Sequence, residues 1–244
     1  MALTDKIEIP RRTMVLFFLI DTSGSMDGSK IGAVNTAIEE VIPAIREVSD
    51  ENADAQIKIA ALDFSSGATW ITKNGPIEAE QFRWNYLDAA GCTDFGAACK
   101  ALNEKLSTKA FMQEATGSFA PAIFLLSDGE PTDEYDSSLA ELKKNNWFKA
   151  AVKVAIAIGE DANKDVLKEF TGSMEAVLEV HNASMLKKMI KFVSVTASKV
   201  ASKSSNVTDA VEADDEQKQQ ELNANLQEFQ EEVALSPDND QSDW

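Results

Sequence analysis

The sequence predicts an α/β fold: a doubly wound, mostly parallel sheet with helices on both faces and one short antiparallel edge strand. Three observations predict it. The runs Met14 to Ile20 and Ala122 to Leu126 are unbroken and apolar, and Val152 to Ile158 is apolar apart from Lys153; all three are rich in β-branched or aromatic residues, as buried strands are. Segments with apolar residues at helical spacing lie between them, so strands and helices alternate along the chain. The first two runs end at Asp21 and Asp128, and ligands of such sheets bind outside the carboxyl ends of the strands.

The elements follow in order. A polar lead-in reaches Thr13, and Met14 to Ile20 is the first strand; at seven residues it is too short to cross a membrane, which takes about 20. Ile31, Val34, Ile38, Val41, Ile42, Ile45 and Val48 place a helix over about Lys30 to Val48, with a kink or break expected at Pro43. Gln56 to Phe64 is a second strand. Ser65-Ser66-Gly67 turns it back into Ala68 to Thr72, the antiparallel edge. Phe82, Trp84 and Tyr86 alternate with polar residues in an extended segment, either covering the sheet edge or forming a contact surface. Phe95 to Leu106 is a helix, followed by a long connection to the strand Ala122 to Leu126. A helix over Ser137 to Trp147, the strand Val152 to Ile158 and a short helix Lys164 to Phe170 come next. A last strand Ala176 to Val180 and a helix Ala183 to Val200 complete the domain, 1–200.

Beyond residue 200 the composition changes. Two basic residues, Lys203 and Lys218, stand against twelve acidic ones, so 201–244 carries −10 of the chain's −18. Acidic segments poor in apolar residues tend to be disordered. Yet Leu222, Leu226, Phe229 and Val233 recur at helical spacing, which makes an amphipathic helix over about 212–233. Because the preceding domain is also acidic, the expectation is a recruitment tail that stays free until a partner supplies a groove.

The whole chain has 244 residues, 44% of them hydrophobic, enough for a sizeable core. A net charge of −18 argues against nucleic acid and anionic membrane as partners and favours cations or basic protein patches. Two cysteines, Cys92 and Cys99, are too few for a disulfide framework, and Cys99 falls on an apolar helix face. Arg11-Arg12 before an apolar run mimics a secretory signal, but Pro10 and Asp21 bracket the run and no small-residue cleavage site follows, so a cytoplasmic location is expected.

The organising stretch is the one that follows the first strand, Asp21-Thr22-Ser23-Gly24-Ser25. A carboxylate at the end of a buried strand is costly unless something pairs with it. Asp21, Ser23 and Ser25 are hard oxygen donors at alternating positions, which suits a divalent cation such as Mg2+. Spacing excludes two rivals. An EF-hand loop from Asp21 would need Gly and Glu where Met26 and Gly32 stand, and Gly28-Ser29-Lys30 is not a phosphate-binding Walker loop. Simple capping of the next helix by Asp21 and Ser23 is the bland alternative.

Asp-x-Ser-x-Ser after such a strand resembles the metal-ion-dependent adhesion site (MIDAS) of von Willebrand factor type A (VWA) domains, a Rossmann-like fold. The resemblance covers about Thr13 to Val200 and adds two residues: Thr93 in Gly91-Cys92-Thr93-Asp94-Phe95-Gly96, and Asp128 in Ser127-Asp128-Gly129-Glu130-Pro131-Thr132-Asp133. It implies Mg2+ or Mn2+ held by Ser23, Ser25 and Thr93, with Asp21 and Asp128 binding metal waters or the ion itself. A protein partner would then offer Asp or Glu to the metal. Among subgroups, the motifs look like those of bacterial TerY-like proteins of tellurium-resistance and stress gene clusters, which implies a kinase or phosphatase of the same cluster as partner. The chain departs from them in its acidic tail and its lack of a Cys-rich zinc module. Two rivals are an accessory subunit of a chelatase-type ATPase and a metal-dependent hydrolase. Against the second, His181 is the only histidine and lies far in sequence from the three motifs. Asp27, Asp94, Glu130, Asp133 and Glu134 surround the motifs as an acidic rim that either concentrates cations or is merely solvated.

Overall fold

Strand β1 (Arg12–Asp21) carries no polar alternation because its two faces enter two separate cores. Met14, Leu16, Phe18 and Ile20 join one, while Val15, Phe17 and Leu19 join the other, the period-two division of a strand. The computed structural model describes residues 11–53, 55–113, 117–160, 162–201 and 211–234. After β1 come a 3-10 turn (Gly24–Met26), α1 (Ser29–Glu51), β2 (Ala55–Ser65), β3 (Gly67–Trp70) and β4 (Ile77–Glu78). Then follow α2 (Phe95–Lys105), β5 (Ala122–Ser127), α3 (Asp136–Lys144), α4 (Asn146–Ala150) and β6 (Val152–Ile158). The last elements are α5 (Lys164–Thr171), β7 (Val177–Val180), α6 (Ala183–Ala201) and α7 (Val211–Ala234).

The strands form one seven-stranded sheet in the order β3-β2-β1-β5-β6-β7, with β4 also pairing β2. The pairs β1–β2, β1–β5, β5–β6 and β6–β7 are parallel; β3 and β4 run antiparallel to β2. The chain leaves β1 toward β2 on one side and later returns to β5 on the other. The strand order therefore reverses between β1 and β5, and a crevice opens at their carboxyl ends. Apolar residues of α1, α6 and α7 cover one face, and those of α2 to α5 cover the other.

Three expectations are corrected. Helix α1 runs unbroken through Pro43. Its apolar stripe, Val34, Ile38, Val41, Ile42 and Ile45, is buried along the whole length, and packing outweighs the one backbone bond that proline removes. The helix expected over Ser137 to Trp147 is two, because the side chain of Asn145 accepts a hydrogen bond from Trp147 N (2.9 Å) and starts a new helix. The two-residue β4 was not anticipated. The extended segment after it packs as a cover. Phe82 is buried and Trp84 half-buried, while Asn35 of α1 pins the backbone through Leu87 N–H and O, both at 2.8 Å.

Helix α7 corrects the reading of the acidic tail as free. Leu222 and Leu226 are fully buried in the α1–α6 core, and Phe229 stacks on Phe192 with ring centroids 4.0 Å apart. The Gln219 carboxamide accepts from Lys153 N–H (2.9 Å) and donates to Lys153 O (3.2 Å). Lys153 lies ahead of the stretch of β6 that β7 covers, Ala155 to Ile158, so the amide stands where a further strand residue would be. Leu222, Leu226 and Phe229 are seated, and Glu228 and Glu231 face water, where charges more than about 10 Å apart are largely screened. The remainder of the tail, 202–210 and 235–244, lies outside the described residues, as does most of the lead-in. Among the described residues, no helix is long and apolar enough to cross a membrane.

Candidate metal centre

Asp21 is the last residue of β1, and its side chain cannot reach water: the residue is 0% exposed. Its carboxylate is held at both oxygens. Oδ1 accepts from Ser23 N–H (2.9 Å) and Oδ2 from the Ser127 hydroxyl (2.6 Å). Ser127 ends β5, the neighbouring strand, and its oxygen in turn accepts from Gly129 N–H (2.7 Å). One hydroxyl thus ties the ends of the two central strands together. Burial pushes the Asp21 carboxyl up from its ordinary value. The Ser127 and Ser23 hydrogen bonds pull it back, and nearby Asp128 adds a smaller upward push.

The other predicted residues lie on loops bonded to this strand end or to one another. The hydroxyls of Ser23 and Ser25 lie 3.0 Å apart, the first buried and the second open to solvent. Asp128 follows β5 and is 2% exposed; its Oδ2 faces Lys30 Nζ at 3.6 Å, while Oδ1 is buried with no hydrogen-bond partner. The Thr93 loop is laced to both. Ala90 N–H bonds Thr22 O (2.8 Å) and Gly24 N–H bonds Gly91 O (3.0 Å). Thr93 N–H bonds the Thr132 hydroxyl (2.9 Å), and Thr132 N–H returns to Thr93 O (2.9 Å). A Cβ at Gly24 would stand 3.3 Å from Gly91 O, so the two loops would have to part by a few tenths of an ångström to admit it.

The donor set fits a small divalent cation. A buried carboxylate oxygen without a partner is costly, and Asp128, which carries it, lies near enough to the second buried carboxylate, Asp21, to push that group up. All the donors are hard oxygens. Among the described residues no group of three or more His, Cys, Asp or Glu side chains is placed to hold a metal ion. The two cysteines stand apart in character, Cys92 exposed and Cys99 buried, with burial pushing the Cys99 thiol up.

Three participants escaped the sequence reading. Ser127, Lys30 and Thr132 act through contacts between loops, and only the burial of Ser127 at the end of an apolar run offered a signal. The acidic rim is in part structural. Asp94 Oδ2 accepts from Gly67 N–H (2.7 Å), and Asp133 accepts from Gly96 N–H (2.9 Å to Oδ2). These two carboxylates hold the Thr93 loop and the start of α2.

Solved structures share the fold. The chain is similar to a von Willebrand factor type A protein from Catenulispora acidiphila, at TM-score 0.59 and 19% identity over 77% of this chain and 43% of that one. It is similar to the pilus adhesin SpaC from Lactobacillus rhamnosus GG, at TM-score 0.58 and 15% identity over 78% of this chain and 30% of that one. It is also similar to proximal thread matrix protein 1 of the mussel byssus, solved with a zinc-occupied MIDAS motif, at TM-score 0.54 and 18% identity over 77% of this chain and 46% of that one. The chain thus spans less than half the length of each of these structures. Comparison with curated proteins gives no match. Residues 16–192, well over half of the chain, match the model of the von Willebrand factor type A domain, and the chain belongs to that family.

Proposed function

We propose that this chain is a metal-dependent protein-interaction module. In it Asp21, Ser23, Ser25, Thr93 and Asp128 hold Mg2+ or Mn2+, and the loaded site takes an aspartate or glutamate from a protein partner. The observation that carries the reading is the buried, unpartnered Oδ1 of Asp128, a residue near enough to buried Asp21 to push its carboxyl up, with the Ser23–Ser25 hydroxyl pair on the Asp21 loop. The cation supplies an electrophilic position for the incoming carboxylate. The chain's part is to hold two carboxylates dry, to fix their orientation through Ser127 and Ser23 N–H, and to leave the Ser25 side open.

Domains of this family are typically interaction modules rather than enzymes. We read this one the same way. His181 follows β7, which lies two strands from β5, roughly 10 Å across the sheet. The setting we propose is a cytoplasmic stress or tellurium-resistance-like system, in which a kinase or phosphatase of the same gene cluster offers the acidic group. That setting is supported by the resemblance of residues 21–26 and 127–133 to TerY-like proteins.

Two results are expected. Mg2+ or Mn2+ at about a hundred times its dissociation constant should stabilise the fold by roughly 2.7 kcal/mol in denaturant titrations. Asp21→Ala should remove that shift. An unchanged unfolding curve in excess metal, together with no calorimetric heat, would sink the proposal. Thr93→Ala should weaken capture of the acidic partner while lowering metal affinity less than Asp21→Ala does, since both carboxylates remain. Equal partner capture by mutant and wild type in metal would count against the role of Thr93.

A further inference from the structure

Lys30 is in an unfavourable place by local physics. It is the second residue of α1, where the positive end of the helix dipole disfavours a cation. Its side chain is only 11% exposed, and an ammonium is strongly hydrated, so burying it is costly without a counter-charge. One counter-charge is Asp128, whose Oδ2 stands 3.6 Å from Nζ. At that separation the contact is an ion pair rather than a close hydrogen bond. The same carboxylate keeps Oδ1 buried and unbonded, so the ammonium does not use up the acceptor capacity of Asp128.

Charge gives this placement a consequence. Asp21, Asp128 and Lys30 between them carry one net negative charge, apart from the acidic rim outside them. A divalent cation brings that sum to one net positive charge, and a single incoming carboxylate brings it to neutrality. With a neutral residue at position 30, the loaded site would already be neutral and would have less pull on an anion.

We propose that Lys30 sets the cation affinity of this site, its ammonium acting as a tethered rival for Asp128 that weakens metal binding and keeps the loaded site short of one anion. The inference rests on the reading of Asp21 and Asp128 as metal ligands. It makes Lys30 a positioning and charge-setting residue that itself touches neither metal nor partner.

The test is calorimetric titration of the full chain with MnCl2, in wild type, Lys30→Met, Lys30→Gln and Lys30→Arg. Two neutral variants are used so that a fold defect in one does not remove the measurement. The neutral variants should bind Mn2+ about tenfold more tightly or better, because a like charge beside the ion has been removed. Lys30→Arg, which keeps the charge, should stay within about threefold of wild type. Wild type and neutral variants with equal affinities would overturn the inference and leave the metal site standing. Tightening by Lys30→Arg as large as by Lys30→Met would also overturn it, since crowding rather than charge would be responsible. No binding by any of the four would overturn the metal site and this inference together.

Discussion

Gly129→Ala should be among the most damaging single-methyl changes in the chain, lowering stability by roughly 2 to 5 kcal/mol. Two effects add. Gly129 has φ +70°, in the left-handed region, where a side chain costs about 1 to 2 kcal/mol. A Cβ there would also stand 2.6 Å from Asn163 O and 3.2 Å from Leu167 Cγ, and forcing extra volume into a packed site costs about 1 to 3 kcal/mol. The clash cannot be relieved cheaply. Asn163 O is backbone, and the same residue's N–H is bonded to Asp128 O at 2.7 Å. A shift of the α5 start therefore moves Asp128, and with it the Ser127 bond to Gly129 N–H. Metal affinity should fall along with stability. Gly172→Ala is the control: φ is +87°, and a Cβ there meets nothing within 4 Å, so only the conformational cost applies. Urea unfolding of the two variants separates the effects. Equal losses at both positions would show that the approach to Asn163 is not tight.

The second large effect concerns α7. Leu222→Ala and Leu226→Ala each remove a fully buried leucine, a change that costs about 2 to 5 kcal/mol in rigid cores. Here the loss has a ceiling. Once seating α7 is less favourable than releasing it, the helix leaves and further damage costs nothing more. The double variant should therefore lose clearly less than the sum of the singles, the signature of coupled sites. A chain ended at residue 210 should match it. Hydrogen exchange supplies the second readout: amides of α7 should lose protection in the double variant while those of β1 and β5 keep theirs. Strictly additive losses, or a shortened chain with unchanged stability, would show that α7 does not belong to the core.

The parts of the fold that could be read from sequence are those whose physics is local. β1 and β5 announce themselves because burial on both faces leaves no room for a polar residue between Met14 and Ile20, or within Ala122 to Leu126. Asp21, Ser23 and Ser25 are legible because one turn of chain carries them all. Thr93 and Asp128 are not, by spacing alone; a family pattern was needed to join them, and backbone bonds between loops bring them together. What stayed hidden depends on distant partners. Pro43 is tolerated because the face around it is buried, and Lys30 gains its meaning only from a carboxylate after β5. Asp94 and Asp133 look like rim charges in sequence but bond backbone N–H groups in space. The seating of α7 depends on Phe192, Lys153 and the α1–α6 core, none of which its own acidic composition reveals.

The carboxamide of Gln219 has a consequence for how molecules of this protein meet one another. β7 is four residues long and covers only the second half of β6, so the first turn of that strand would otherwise present a bare N–H and C=O at Lys153. Such a bare edge is a template on which another chain can add a strand. Gln219 occupies both groups with one side chain, and the body of α7 stands over them. Because the plug is a side chain on a separable helix and not a strand, the edge is closed in the folded state and reopens when α7 leaves. Release of the helix would thus turn a closed strand edge into one prone to edge-to-edge aggregation.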